Sequence, residues 1–117
     1  MRHVTDDMRQ CIDECLGCHS ICIETVSHCL VKGGKHAEAR HIHLLEDCAD
    51  ICSASARFML RGSELHSDTC AVCATVCERC AQDCESFDDE FMKRCAEACR
   101  SCAESCREMA RLGRKAA

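Results

Sequence analysis

The chain has 117 residues, no proline, only three aromatic residues (Phe58, Phe87 and Phe91) and a formal net charge of −5. This is the length of one domain with a modest core, so residues 1–117 are expected to form a single unit. The scarcity of aromatics disfavours a β architecture, and the negative balance gives no reason to expect nucleic acid or an anionic membrane surface as partner.

Cysteine is the outlier, at 16 residues. Such a density signals a disulfide scaffold or a metal binder. The opening segment, MRHVTDDMRQC, has no basic region followed by an apolar run and no small-residue cleavage site. The longest uncharged stretches near the middle stay under about a dozen residues, too short to span a bilayer. A cytoplasmic location is therefore expected, where thiols stay reduced and metal is favoured over disulfide.

The breaks are Gly33-Gly34, Gly62 and the SFDDE stretch at 86–90, with Ser63 and the pair Ser86 and Asp89 as helix-start signals and Gly113 as the stop before a basic tail. They delimit four predicted helices, roughly 5–32, 36–61, 64–86 and 89–111. Connections this short join antiparallel neighbours, so the expected fold is all-α, an antiparallel up-down four-helix bundle with a Cys-lined core.

The first helix carries Cys11, Cys15, Cys18, Cys22, Thr25 and Cys29 on one stripe. The second carries His41, Leu45, Cys48, Cys52, Ser55 and Met59; the third His66, Cys70, Cys73, Cys77, Cys80 and Cys84; the fourth Met92, Cys95, Cys99, Cys102, Cys106 and Met109. Alternating steps of three and four put each set on one face, the seam of a heptad, and every cysteine falls on one of these stripes.

A second register on the first helix, Ile12, Leu16, His19, Ile23, Val26 and Leu30, lies about 100° round from the thiols. The second helix adds Leu44, Ile51 and Phe58, whereas the third and fourth are flanked mostly by alanine, with Val72 and Val76. Part of this surface packs the bundle; the excess on the first two helices predicts a homo-oligomer. Glu97, Arg100, Glu104 and Arg107 read as an exposed face with ion pairs along the fourth helix.

Free cysteine can act as a small hydrophobe, but thiols fill less volume than leucine and leave a core poorly packed. Disulfides within a helix fail on geometry, since i, i+4 Cβ atoms lie about 5–6 Å apart and a disulfide needs roughly 3.8 Å. The same separation suits chelation: with metal–sulfur bonds of about 2.3 Å, a linear S–M–S unit spans roughly 4–5 Å. Soft thiolates select Cu(I), zinc or iron–sulfur clusters. The proline-terminated ferredoxin run is absent. The Cys-x-x-Cys pairs (Cys15/Cys18, Cys70/Cys73, Cys77/Cys80, Cys99/Cys102) sit mid-helix, outside the strand-to-helix context of thiol–disulfide catalysis. Four thiolates around Zn²⁺ leave a double negative charge, and several such sites in one apolar core repel and desolvate badly. Cu(I) bridged by thiolates approaches a neutral one-to-one ratio, on the order of 16 ions per chain.

The repeated Cys-x₃-Cys-x₂-Cys-x₃-Cys ladders resemble those of the bacterial copper storage proteins, most nearly their cytosolic branch. The resemblance covers nearly the whole chain. It implies a four-helix bundle assembled as a homotetramer, whose interior fills with Cu(I) held mainly by pairs of thiolates. It also implies copper held in a non-toxic form, not an enzyme, with a copper chaperone as a possible partner and with His or Met ligands at the mouth that admits the metal.

The candidate ligands are thus Cys11, Cys15, Cys18, Cys22, Cys29, Cys48, Cys52, Cys70, Cys73, Cys77, Cys80, Cys84, Cys95, Cys99, Cys102 and Cys106, joined by His41 and His66 in the same register. One bundle end gathers His28, Cys29, His41, Phe87, Phe91 and Met92, with His36 and His43 nearby; the other gathers Met8, Cys11, Met59, His66, Cys106 and Met109. The resemblance favours the first as the entrance; if Phe87 and Phe91 plug it, the Met-rich end is the gate. The methionines read first as filler, His28, His36 and His43 as solvated, and His19 as an interface residue. Thr25 and Ser55 mark gaps or local hydrogen bonds. A zinc or general soft-metal reservoir and a thiol redox buffer stay open beside copper. Stoichiometry separates the three: near one metal per Cys for Cu(I), near one per four for zinc, and none for the redox buffer.

Overall fold

The computed structural model describes residues 4–116. The first three residues of the MRHVTDDMRQC segment and residue 117 lie outside that range. The elements are α1 (Asp6–Lys32), a 3-10 turn (Gly34–Ala37), α2 (Ala39–Leu60), α3 (His66–Glu85) and α4 (Glu90–Ala116). No strand occurs among the described residues. Each of α1 and α4 packs against two neighbours, as do α2 and α3, while the diagonal pairs α1/α3 and α2/α4 stay apart. The result is the expected square up-down bundle, 48 × 21 × 19 Å.

Local chemistry explains the ends. The Thr5 hydroxyl accepts from the Met8 N–H at 3.2 Å, and Asp6 and Asp7 sit in the first turn, where the helix dipole favours negative charge. At the far end Gly33 and Gly34 adopt φ of 74° and 56°, a region open to glycine at no steric cost, and the Gly33 N–H closes on the Cys29 carbonyl at 3.1 Å. Ser63 turns the chain into α3, its Oγ accepting from the Leu65 N–H at 3.1 Å, although the helix itself begins at His66. Of the pair read as a start signal, only Asp89 caps α4, its Oδ1 accepting from the Met92 N–H at 2.8 Å. Ser86 instead finishes α3 by donating to the Asp83 carbonyl at 2.7 Å.

Two expectations are corrected. Gly113 does not stop α4, which continues to Ala116. A Cβ at Gly113 would lie 2.7 Å from the Cβ of Ser67, so this glycine permits close approach of α4 to the start of α3. Arg100 and Arg107 pair across the helix boundary, Arg100 gripping Glu85 at 2.7 and 3.0 Å and Arg107 reaching Glu78, while Arg111 keeps an i, i+3 pair with Glu108. The cause is the narrow α3–α4 seam, where Ala74, Ala81, Ala96 and Ala103 are buried and no larger side chain holds the helices apart.

The second apolar register divides. Ile12 is wholly buried inside the bundle, and His19 Nδ1 bonds the Ala49 carbonyl at 2.8 Å, within the chain. Leu16, Ile23, Leu30 and Val31 remain 41%, 51%, 57% and 87% exposed. No described helix is long and apolar enough to cross a membrane.

Candidate metal centre

All 16 cysteines are free and buried. The seam spacing points them inward from four helices, and their sulfurs form a connected column, with Cys29 beyond its end beside His41 and Met92. From the end near the start of α1, Cys11 Sγ meets Cys106 at 3.7 Å, Cys106 meets Cys15 at 3.4 Å, and Cys15 meets Cys102 at 3.7 Å. Cys102 approaches Cys52 at 3.8 Å, and Cys52 meets Cys73 at 3.7 Å and Cys77 at 3.5 Å. The column continues through Cys48, 3.6 Å from Cys77, to Cys18 at 3.8 Å, and on to Cys99 and Cys22 at 3.8 and 4.0 Å from Cys18. Cys80, Cys84 and Cys95 carry the network on along α3 and α4 through their interactions with Cys22 and one another.

The arrangement is built for sharing. Four-thiol groups with all sulfurs within 4.8 Å occur at Cys15, Cys73, Cys102 and Cys106; at Cys18, Cys48, Cys52 and Cys77; at Cys18, Cys22, Cys48 and Cys99; and at Cys52, Cys73, Cys77 and Cys102. They overlap so heavily that no three of them can be separate closed tetrahedral sites at once. Zinc in structural sites wants four ligands to itself. Thiolates that bridge successive Cu(I) ions need no such partition, and a neutral copper–thiolate ladder escapes the cost of stacked charge.

The thiols divide: hydrogen bonds from neighbouring sulfurs hold Cys11, Cys18, Cys73, Cys95 and Cys102 below the ordinary thiol range, while others keep their protons more tightly. Burial, and then the charge of Asp89, pushes the Cys29 thiol up to about 11. Cys84, Cys22 and Cys99 are also pushed up, chiefly because each shares its proton with a neighbouring sulfur (Cys80 for Cys84, Cys18 for Cys22 and Cys99) and because each is buried. Metal therefore enters by displacing protons.

Each end of the column changes ligand type. At one end Cys29 Sγ lies 3.3 Å from His41 Nε2 and 3.6 Å from Met92 Sδ. The other His41 nitrogen, Nδ1, donates to Asp83, whose second oxygen accepts from Arg40 at 2.9 Å. A carboxylate accepts only, so the Nδ1 proton is fixed and the Nε2 lone pair faces the sulfurs, the usual way a metal-binding histidine is oriented by a partner behind it. Against its own burial, Asp83 is held below the ordinary carboxylate range by His41 and Arg40. At the other end Cys11, Cys70 and Cys106 converge, and Cys70 Sγ meets Met59 Sδ at 3.8 Å.

His41 thus stands among the candidate ligands as its register required. His66 is held differently: its Nδ1 donates to the Ser63 carbonyl at 2.9 Å and its ring faces Gly113, at the end of the bundle. Thr25 forms the anticipated local bond, to the Ile21 carbonyl at 2.6 Å, and Ser55 Oγ is buried without a hydrogen-bond partner among the described residues. His43 is exposed, as expected. His28 and His36 are not solvated: each is only about a quarter or less exposed, and they lie against Phe91 and Phe87 beside Asp89. The capping pattern marks Asp89 as a helix start but not as a partner of His28 and His36, and Met59 and Met92 read as filler although both touch thiols. Asp83 has no signal in one sequence, since it meets His41 only across the α2–α3 boundary.

The family model for the copper storage proteins (Csp) matches residues 4–111. Over 68 residues the chain is 37% identical to the uncharacterized cysteine-rich protein YhjQ of Bacillus subtilis (strain 168); the match spans 58% of this chain and 63% of that protein. Among solved structures, the Nmul_A1745 protein from Nitrosospira multiformis is 46% identical with a TM-score of 0.88, covering 92% of this chain and 99% of that one. Cu(I)-bound copper storage protein BsCsp3 is 35% identical with a TM-score of 0.85, covering 90% and 99%. A cytosolic copper storage protein from Streptomyces lividans, solved with five coppers, is 32% identical with a TM-score of 0.79, covering 91% and 93%. With the thiol ladder filling its core and the family match spanning most of its length, this chain belongs to the copper storage protein family.

Proposed function

We propose that the chain, acting as a single domain over residues 1–117, stores and sequesters many Cu(I) ions along its thiol column and catalyses no reaction. The carrying observation is the overlap of the four-thiol groups, whose shared sulfurs suit bridging ligands and leave at most two of these groups closed at once. The proposed ligands are the 16 cysteines with His41, and the thioethers of Met92 and Met59 extend the donor set at the two ends. Copper enters at the His41 end, where a lone pair already faces the outermost thiol. His66, whose Nδ1 likewise gives its proton to an acceptor, the Ser63 carbonyl, is a proposed ligand at the opposite end.

A cytoplasmic location fits reduced thiols and the cytosolic relative from Streptomyces lividans. The exposed Leu16, Ile23, Leu30 and Val31 support a homo-oligomer, and the family resemblance favours a tetramer. A copper chaperone is a fitting donor.

The test is an anaerobic titration of fully reduced protein with Cu(I), a chromophoric chelator reporting free metal. A break near one copper per cysteine is expected. A break near one metal per four cysteines, or chelator capture from the first addition, sinks the filled-core reading.

A further inference from the structure

Above the His41 end, outside the thiol column, two imidazoles and a carboxylate converge from three different elements. His28 comes from the last turns of α1, His36 from the 3-10 turn, and Asp89 from the cap of α4. Asp89 Oδ1 is committed to the Met92 N–H, which leaves Oδ2 facing inward. His36 Nε2 lies 2.8 Å from that oxygen and His28 Nε2 lies 3.6 Å from it. The rings are held in place from behind. His28 stacks on Phe91 at 4.5 Å with planes 8° apart, His36 lies against Phe87 at 4.4 Å, and the two imidazoles meet edge to face at 5.8 Å.

The second observation is independent of this convergence. His28 Nε2 is shut off from water, and among the described residues it makes no hydrogen bond, only the 3.6 Å ion-pair contact with Asp89 Oδ2. A buried polar atom without a hydrogen bond is costly, and native structures pair nearly all of them with protein, water or an ion. Its nearest polar neighbour is the same Asp89 oxygen, at a separation too long for a hydrogen bond but suited to two ligands of one metal ion with bonds of about 2.0–2.2 Å.

We infer that His28, His36 and Asp89 form a separate site for a divalent first-row transition ion, of which zinc is the probe. The donors decide the class: two imidazole nitrogens and a carboxylate oxygen suit a borderline divalent ion, whereas the all-sulfur column suits Cu(I). The site binds by replacing the His36–Asp89 hydrogen bond and ties α1, the turn and α4 together across the end where Cys29 and His41 lie. Occupied, it is a clasp over the copper column, and Cu(I) leaves more slowly through that end.

The clasp's effect on release rests on the storage reading, but the site itself does not, so the experiment reads the site directly. Copper-saturated protein with ¹⁵N-labelled histidine is titrated anaerobically with Zn(II), and the ring-nitrogen resonances of His28 and His36 are followed by long-range ¹H–¹⁵N correlation. Both Nε2 signals are expected to shift together and saturate near one Zn(II) per chain. Affinity should fall by about tenfold or more in His36→Ala, and likewise in Asp89→Asn, which keeps an acceptor for the Met92 N–H. Chelator extraction of copper should be slower with Zn(II) present, and this slowing should vanish in the variants. Unshifted His28 and His36 resonances in a filled column overturn the clasp and leave storage standing. Shifted resonances in a protein that refuses copper overturn storage and leave the site standing. Equal Zn(II) affinity in wild type and His36→Ala also overturns the clasp.

Discussion

His41 Nε2 stands 3.3 Å from Cys29 Sγ, while its opposite nitrogen is bound to Asp83. One side chain thus joins the outermost thiol to a surface ion pair, because Asp83 also holds the exposed Arg40. The lone pair directed at the sulfur exists because the carboxylate fixes the proton on the far nitrogen.

Replacing His41 should therefore alter traffic rather than capacity. His41→Ala is expected to keep the number of coppers bound nearly unchanged and to slow loading and release by about 10–100-fold. Asp83→Asn should move both rates in the same direction by a smaller factor. Stopped-flow loading and chelator-driven release check this; unchanged rates in His41→Ala would mean that copper enters elsewhere.

Alkaline pH should weaken the apo protein. Burial and the Asp89 charge raise the Cys29 thiol from 9.0 to about 11, so across that window the folded state keeps a proton that the unfolded state has lost. The folded state binds more protons, and stability must then fall as pH rises through the window and be fully present below it. Urea melts of reduced apo protein between neutral pH and pH about 11 should give a falling midpoint, with a shallower fall in Cys29→Ala. A flat profile would show that Cys29 ionises in the fold as easily as in the open chain.

The two glycines inside helices should respond in opposite ways. A side chain at Gly113 meets Ser67 at 2.7 Å, whereas one at Gly17 meets nothing within 4 Å. Gly113→Val should cost about 1–3 kcal/mol through forced separation of α4 from α3. Gly17→Ala should gain about 0.5–1 kcal/mol from helix propensity alone. Denaturant melts of both apo variants test the pair, and a Gly113 variant as stable as wild type would contradict the close approach.

The apolar stripe left on α1 should govern assembly without touching the column. Ile23 and Leu30 are 51% and 57% exposed in the single chain. A charge at either position loses about 1.5–3 kcal/mol of burial for each copy that packs there. Light scattering on Ile23→Glu and Leu30→Glu should report a smaller particle with copper capacity per chain intact. Retention of wild-type mass by both would remove this face from the assembly.

Much of the site was legible because a thiol column obeys helix periodicity. Cys48 and Cys77 come from different helices yet could both be assigned to the interior, since steps of three and four leave each no other face to occupy. His41 followed from the same register. His28 and His36 did not: one lies a residue off the seam and the other in the turn, and nothing local reveals that Phe91 and Phe87 shield them.

The amino-acid sequence by itself determined the four helices, their antiparallel order and the burial of every cysteine, because turn chemistry and heptad spacing act over a few residues and need no partner to be read. Only the tertiary structure decided which thiols share a group, how Asp83 orients His41, that Gly113 admits α3 rather than ending α4, and that Asp89 gathers His28 and His36. Those relations join residues far apart in the chain, and their distances depend on how closely the alanine-lined helices approach. That approach is set by the packing of all four helices together.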